Sequence, residues 1–148
     1  MLKNILKLAT EDFQWSAIVP SDSSWISGIP VEISANEEPL DPAIIQLIEQ
    51  FITYLTHNQN ELKTQLHQFY TECREDIIEN CELWCGDLPE DESSQTIWET
   101  LDDFVICYSG FMREQPALSL IAGCDWQPDG GIEFIYENGS ITSVNFQS

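Results

Sequence analysis

The spacing of apolar residues changes twice along this chain, and these changes restrict the folds that it can adopt. Apolar residues stand at every second position at Phe13, Trp15, Ala17 and Val19, and residues 31–35 alternate in the same way after a turn at Gly28 and Pro30. Strict alternation is the period of a strand with one buried face. The sequence therefore predicts an N-terminal antiparallel pair of strands.

The middle of the chain has the spacing of helices. Apolar residues stand three and four apart over residues 44–55, and again from Leu62 to Ile77. Asp41 and Pro42 form a strong helix start, because Asp caps free amides and Pro suits the first helical position. These patterns predict one helix that ends near His57 and a second that begins at about Asn60. The short polar connection favours an antiparallel helical hairpin.

The C-terminal third returns to short apolar runs separated by turns. After a loop-like stretch at 86–95 and a short helix around Trp98, strands are predicted at 104–108, 117–123 and on both sides of Asn138–Gly139. Asn-Gly favours a two-residue hairpin turn, and Trp126, at the start of the last hairpin, is expected to pack against the helices.

No repeat or linker divides the chain. With 43% apolar residues it has ample material for a core. The sequence thus predicts a single α+β domain over residues 1–148, with an N-terminal antiparallel β pair, a central helical hairpin and a C-terminal antiparallel β meander.

Charge gives the clearest indication of function. Twenty-six acidic residues oppose five basic ones, for a net charge of −21, and twelve acids face only Arg74 between Glu72 and Asp103. This surface repels phosphate backbones and anionic lipid, so we expect neither nucleic-acid nor membrane binding. It attracts basic proteins and speeds their encounter. The alternative is that the acidity serves only solubility.

The expected partner-binding residues lie in and around this acidic segment. Trp84 stands among the acids, and an aromatic side chain with an acidic rim suits Arg or Lys. Core packing is the alternative for Trp84, as it is for Trp25 and Trp98, since tryptophan is highly buried on average. The predicted binding residues are Glu72, Glu75, Asp76, Glu79, Glu82, Trp84, Asp87, Glu90, Asp91 and Glu92.

Catalytic and metal-binding motifs are not found in the sequence, so we expect no enzyme activity, no catalytic residue and no cofactor. The chain has no nucleophile elbow, zincin motif or phosphate-binding loop, and His67 lies off the apolar stripe of its helix. A zinc site at Cys73, Cys81 and Cys85 is the alternative interpretation of the cysteines, but no CxxC pair supports it. Calcium binding by the acids at 87–92 or 125–129 lacks the EF-hand pattern.

The N-terminal apolar run is broken by Lys7 and ends at Glu11–Asp12, so it does not predict an export signal. No stretch reaches the roughly 18 apolar residues that span a bilayer. We therefore expect a cytoplasmic protein, with its five cysteines reduced.

The end of the chain resembles a group of bacterial domains. The resemblance rests on Cys124, Trp126 and the Gly130–Gly131 pair, followed by Asn138–Gly139, and extends weakly over residues 41–146. Members are uncharacterised relatives of immunity proteins that neutralise polymorphic toxins. The resemblance implies an α+β fold and a toxin-neutralising role. Together with the charge, it leads to the hypothesis of an immunity-type inhibitor of a basic secreted toxin, with a nuclease as the expected class. A regulatory or adaptor domain and a small hydrolase are the alternatives.

Overall fold

The computed structural model describes residues 7–8, 14–21, 24–34, 41–84, 92–109, 117–126 and 130–147. Within them the chain forms three helices and seven strands, which confirms the predicted α+β class. In chain order these are β1 (Lys7–Leu8), β2 (Gln14–Ile18), β3 (Pro30–Ser34), α1 (Pro42–His57), α2 (Gln59–Trp84), α3 (Ser94–Glu99), β4 (Leu101–Ser109), β5 (Ala117–Cys124), β6 (Gly131–Glu137) and β7 (Ser140–Gln147).

All described strands belong to one sheet whose spatial order follows the chain order from β1 to β7. The predicted N-terminal pair is present, with β2 antiparallel to β3, and the C-terminal meander is β4 to β7. A feature that the sequence did not indicate joins the two halves: β3 pairs in parallel with β4, so that Val31 lies beside Ile106. The helices occupy the connection between these two strands.

The main part of the core lies on one face of the sheet, and the strand registers place its residues side by side. Val31, Ile106, Leu120 and Phe134 lie side by side across four strands, and each is completely buried. Because successive side chains of a strand point to opposite faces, this row fixes the register of the whole sheet. At Ile18, on the opposite face, 58% of the side chain is exposed.

Helix α1 begins as predicted. The Asp41 carboxylate accepts a hydrogen bond from the Ala43 N–H at 2.9 Å, with Pro42 as the first helical residue. The buried stripe of α1 places Phe51 against Tyr136 of β6, with ring centroids 4.5 Å apart. The indole Nε1 of Trp25 donates to the Leu55 carbonyl at 2.8 Å, which ties the end of α1 to the turn before β3.

Helix α2 follows α1 after a single residue, Asn58. Its buried residues include Leu62, Leu66 and Tyr70. The predicted packing of α2 antiparallel against α1 is not what the structure shows, because the main contacts of α2 are with α3 and β7. One residue is too short a connection to turn the chain back along the preceding helix.

The final hairpin has the predicted turn. Asn138 and Gly139 have φ values of 54° and 89°, as a two-residue type I′ turn requires. Gly131 begins β6 at a point where a Cβ would collide with the Ala122 carbonyl of β5, so this glycine allows the two strands to approach. The register of β6 and β7 shifts between Ile135 and Tyr136, which leaves Thr142 as an extra, bulged residue in β7.

Candidate functional site

The outer surface of α2 carries a row of acids at helical spacing. Residues three or four apart lie on one side of a helix, and the side chains here are all acidic or amide. The carboxylates of this row, named here the acidic stripe, are Glu61, Glu72, Glu75, Asp76 and Glu79. All five are exposed. Gln65 and Gln68 fill the gap between the first two acids, and their amides donate to Glu61 at 3.0 Å and to Glu72 at 3.2 Å.

The basic residues of α2 lie on its other side, towards α3. Lys63 Nζ donates to the Gln95 side chain at 2.8 Å, and Arg74 Nε pairs with the Glu92 carboxylate at 2.8 Å. The Glu92 carboxylate raises the pKa of the Arg74 guanidinium by hydrogen bonding and by its charge. His67, expected from its position to be solvated, is half-buried, and its Nε2 lies 2.8 Å from the Glu92 carbonyl oxygen. Both cations thus make their hydrogen bonds to residues 92–95, and the charge of Glu75 contributes only a small further rise to the pKa of Arg74.

A groove separates α2 from strand β7 on the side of the acidic stripe. Its volume is about 280 Å³. Gln65, Gln68, Phe69 and Glu72 form one wall, and Thr142–Val144 form the other. Phe69 and Val144 are the apolar residues of its lining, and the Phe69 ring packs edge-on against Phe146 with ring centroids 4.9 Å apart.

The Gln65 side chain bridges the two walls. Its Nε2 donates to the Ile141 carbonyl of β7 at 3.3 Å as well as to Glu61, while its buried Oε1 has no hydrogen-bond partner in the structure. The groove was not predicted, because nothing in the sequence indicates that α2 lies beside the last strand.

The ten predicted binding residues fall into three groups: exposed on α2, engaged in an ion pair, or not described by the structure. Glu72, Glu75, Asp76 and Glu79 are exposed on α2 and belong to the acidic stripe. Glu92 lies near them but its carboxylate is engaged by Arg74, so it is a weaker candidate for recognition than the sequence suggested. Glu82 and Trp84 are in the last turn of α2, where the side chains are not described, and Asp87, Glu90 and Asp91 lie outside the described residues.

The other two tryptophans that the sequence singled out pack in the interior. Trp25, Trp98 and Phe104 form an aromatic cluster with ring centroids 5.4–5.7 Å apart. Only 8% of Trp98 is exposed. Core packing, the alternative interpretation, is thus confirmed for Trp98, and Trp25 packs against the same core.

On the opposite face of the sheet a cysteine lies near two acids. Cys107 stands between Glu32 and Ser119 in the strand register, and burial, followed by the charges of Glu32 and Glu133, raises the pKa of its thiol to about 11. A nucleophilic cysteine needs a lowered pKa and a neighbouring base. The surroundings of Cys107 therefore disfavour the thiolate.

The described ranges contain neither a cluster of metal-ligating side chains nor a helix suited to span a membrane. No cluster of three or more His, Cys, Asp or Glu side chains there is arranged to hold a metal ion. The alternative zinc site includes Cys85 and the side chain of Cys81, which lie outside what the structure describes. Among the described helices, none has both the length and the apolar character to cross a bilayer.

The fold and this surface define an α+β protein with one helix-covered sheet and an acidic, exposed helix. The chain belongs to the family described as a domain of unknown function, DUF6985, whose model matches residues 5–148. Comparison with curated proteins found no match, and neither did comparison with solved structures. The family description assigns no activity, so the resemblance to toxin-immunity relatives remains a prediction.

Proposed function

We propose that this chain is a non-catalytic inhibitor of the immunity type, which binds a basic secreted bacterial toxin in the cytoplasm and neutralises it. The observation that supports the proposal is the division of charge on α2. Five carboxylates are exposed along one side of the helix, whereas its two cations engage residues 92–95 on the other side. The acidic stripe is thus available for a cationic surface.

A nuclease is the class of toxin that this surface fits best. Nucleases must be cationic to hold nucleic acid, and much of that attraction comes from the regular row of phosphates. Residues three or four apart on a helix have Cβ atoms about 5–6 Å apart, so Glu72, Asp76 and Glu79 present negative charges at intervals of about one helical turn. An inhibitor of this kind would occupy the phosphate-binding surface of the enzyme and speed its own association by electrostatic steering.

The first test is to capture the partner from the organism that encodes the chain and to measure its association. We expect a basic protein whose toxicity, when expressed alone, is suppressed by co-expression of this chain. Association should slow steeply between about 0.05 and 0.3 M salt, because surface charges are screened over about 8 Å at 0.15 M. Surface-plasmon kinetics at both salt concentrations would measure this.

A matched pair of triple variants separates the effect of the acidic stripe on the association rate from the effect of net charge. Glu75→Lys, Asp76→Lys and Glu79→Lys reverse three acids of the stripe, and Glu99→Lys, Asp125→Lys and Glu137→Lys reverse three exposed acids elsewhere. Three changes of +2 take both variants from −21 to −15. The stripe variant should lower the association rate by about tenfold more than the control.

Two results would contradict the proposal. Equal association rates for the two variants would move the interface away from α2. Capture of only neutral or acidic proteins would contradict the proposed inhibitor function and would favour an adaptor whose acidity serves solubility.

A further inference from the structure

Strand β7 ends the sheet beside the groove. In the described part of the chain no strand lies beyond it, and its residues Thr142, Ser143 and Asn145 are exposed. An edge strand carries a row of backbone N–H and C=O groups that can pair with another strand. The groove volume of about 280 Å³ is just below the range of small-molecule pockets, about 300–1,000 Å³. A narrow groove along a strand edge suits a single extended segment better than a compact ligand.

The strand register identifies the backbone groups that point outwards. Glu137 and Ser140 flank the two-residue turn and form a hydrogen-bonded pair, and such pairs alternate with non-hydrogen-bonded ones along an antiparallel ladder. The non-hydrogen-bonded partners in β7 are therefore Ile141, Val144 and Phe146. The hydrogen bond from Gln65 Nε2 to the Ile141 carbonyl agrees with this assignment. Past the bulge at Thr142, Val144 and Phe146 direct their N–H and C=O groups away from β6.

The charge around the groove determines which segment it would accept. Glu72 lies in the groove wall, and Glu75, Asp76 and Glu79 continue the same side of α2. The cations of α2 are on the side towards α3. A second copy of this chain would bring another charge of −21 to the same edge, so self-pairing is unfavourable and a basic segment is favoured.

We propose that the groove between α2 and β7 binds an extended, lysine- or arginine-containing segment of the partner, which adds to β7 as a further antiparallel strand. This inference rests on the proposed recognition of a basic protein and specifies where and in what conformation its segment binds. The added strand would bond to Val144 and Phe146 through its backbone. Its alternate side chains would face α2, within reach of Glu72.

The geometry predicts that the two sets of alternating residues in the bound segment have different roles. In an antiparallel pair, directly opposed residues place their side chains on the same face of the sheet. Val144 and Phe146 belong to the face on which the helices lie, because Val144 pairs with Phe134 and Phe146 with Ile132. The residues of the added strand that bond to β7 are therefore those whose side chains face α2.

The test uses a synthetic peptide of about nine alternating lysine and threonine residues, the length of a long strand. If the lysines face α2, N-methylation of the lysine amides removes the donors to β7, whereas N-methylation of the threonine amides affects only the outer edge. We expect the lysine-methylated peptide to bind about tenfold more weakly than the unmodified one, as the loss of two hydrogen bonds implies. The threonine-methylated peptide should bind like the unmodified peptide. Fluorescence anisotropy on the full chain would measure these affinities.

A matched pair of protein variants tests the groove wall. Glu72 and Glu99 each accept a hydrogen bond from a glutamine four residues earlier in the chain, and Gln can accept the same bond. Glu72→Gln should lower the affinity for the unmodified peptide by about threefold. Glu99→Gln, outside the groove, should leave the affinity for this peptide unchanged.

Three outcomes would overturn the inference: no binding of the unmodified peptide, equal binding of both methylated peptides, or equal effects of the two variants. The proposed function would survive them if reversal of the acidic stripe still slowed association with the captured partner. If reversal of the acidic stripe did not slow that association, the proposed recognition of a basic protein would itself be wrong.

Discussion

At the scale of single residues, Trp126 joins three parts of the fold. Its ring packs against Tyr70 of α2 at 5.2 Å and against Phe146 of β7 at 6.1 Å. Its Nε1 donates to Thr100 Oγ1, between α3 and β4, at 2.9 Å. With only 1% of the residue exposed, the expectation that Trp126 packs against the helices is confirmed. Trp126→Ala should lower the free energy of unfolding by about 3–5 kcal/mol, measured by urea denaturation.

Two controls separate packing from hydrogen bonding at this position. Trp126→Phe keeps an aromatic ring and should cost less than the alanine change. Thr100→Val removes the hydroxyl that accepts from the indole N–H and that donates to the Ile97 carbonyl at 2.6 Å, and it should cost about 1–3 kcal/mol. A loss below about 0.5 kcal/mol for Trp126→Ala, the range of surface changes, would show that Trp126 is not part of the core.

The thiol of Cys107 should react slowly near neutral pH. The thiolate is the nucleophile, and a pKa of about 11 keeps nearly all of the group protonated at pH 8. Alkylation by iodoacetamide should therefore accelerate about tenfold per pH unit up to about pH 11. Mass spectrometry of the Cys107 peptide after timed labelling measures this rate. Glu133→Gln removes one of the two neighbouring charges that raise the pKa, so it should speed labelling at pH 8, and an unchanged rate would contradict this explanation.

At the scale of elements, α1 depends on its first cap. Asp41→Ala removes the acceptor for the Ala43 N–H and should lower the free energy of unfolding by about 0.5–2 kcal/mol. Asp41→Asn keeps a side-chain acceptor and is the matched control, for which we expect little change. Thermal unfolding of both variants measures the difference. A similar loss for the two would indicate that the charge of Asp41, and not its hydrogen bond, stabilises the helix.

Elements defined by short-range patterns could be predicted from the sequence. The Asp41–Pro42 start, the alternation in β2 and β3, and the Asn138–Gly139 turn each depend on neighbouring residues, and each is present. The parallel pairing of β3 with β4 could not be predicted, because it joins segments separated by residues 35–100 and has no local signal. The helical hairpin failed for the same reason: apolar periodicity shows which face of a helix is buried, but not which element covers it.

The candidate site was predictable only in part. Composition identified the acidic character of α2, and four of the five acids of the stripe, Glu72, Glu75, Asp76 and Glu79, were among the predicted binding residues, whereas Glu61 was not. Two features depended on tertiary packing and were missed. Glu92 is engaged by Arg74, eighteen residues earlier in the chain, and Gln65 reaches the backbone of β7. A hydrogen bond between distant segments leaves no pattern in a single sequence.

At the scale of the whole molecule, the net charge should oppose folding. A charge of −21 on one chain repels itself most strongly in the compact state. Because salt screens this repulsion, the melting temperature should rise as sodium chloride increases from about 0.02 to 0.5 M. Calorimetry at each concentration tests this, and the −15 variants described above should show a smaller rise than the natural chain. A melting temperature independent of salt would mean that the charges are spaced too widely to interact.

The parallel pairing of β3 with β4 has a consequence for the order in which the chain folds. The pairings of β4 with β5, β5 with β6 and β6 with β7 each join strands that are close in the sequence and can form early, whereas the pairing of β3 with β4 must wait until residues 35–100 have been synthesised and closed into a loop. Closure of a long loop is unfavourable until its contacts form, and such pairings are intrinsically slow. On the ribosome the first hairpin therefore emerges long before its partner strand exists. We expect the N-terminal strands to dock last, onto a C-terminal sheet that is already formed.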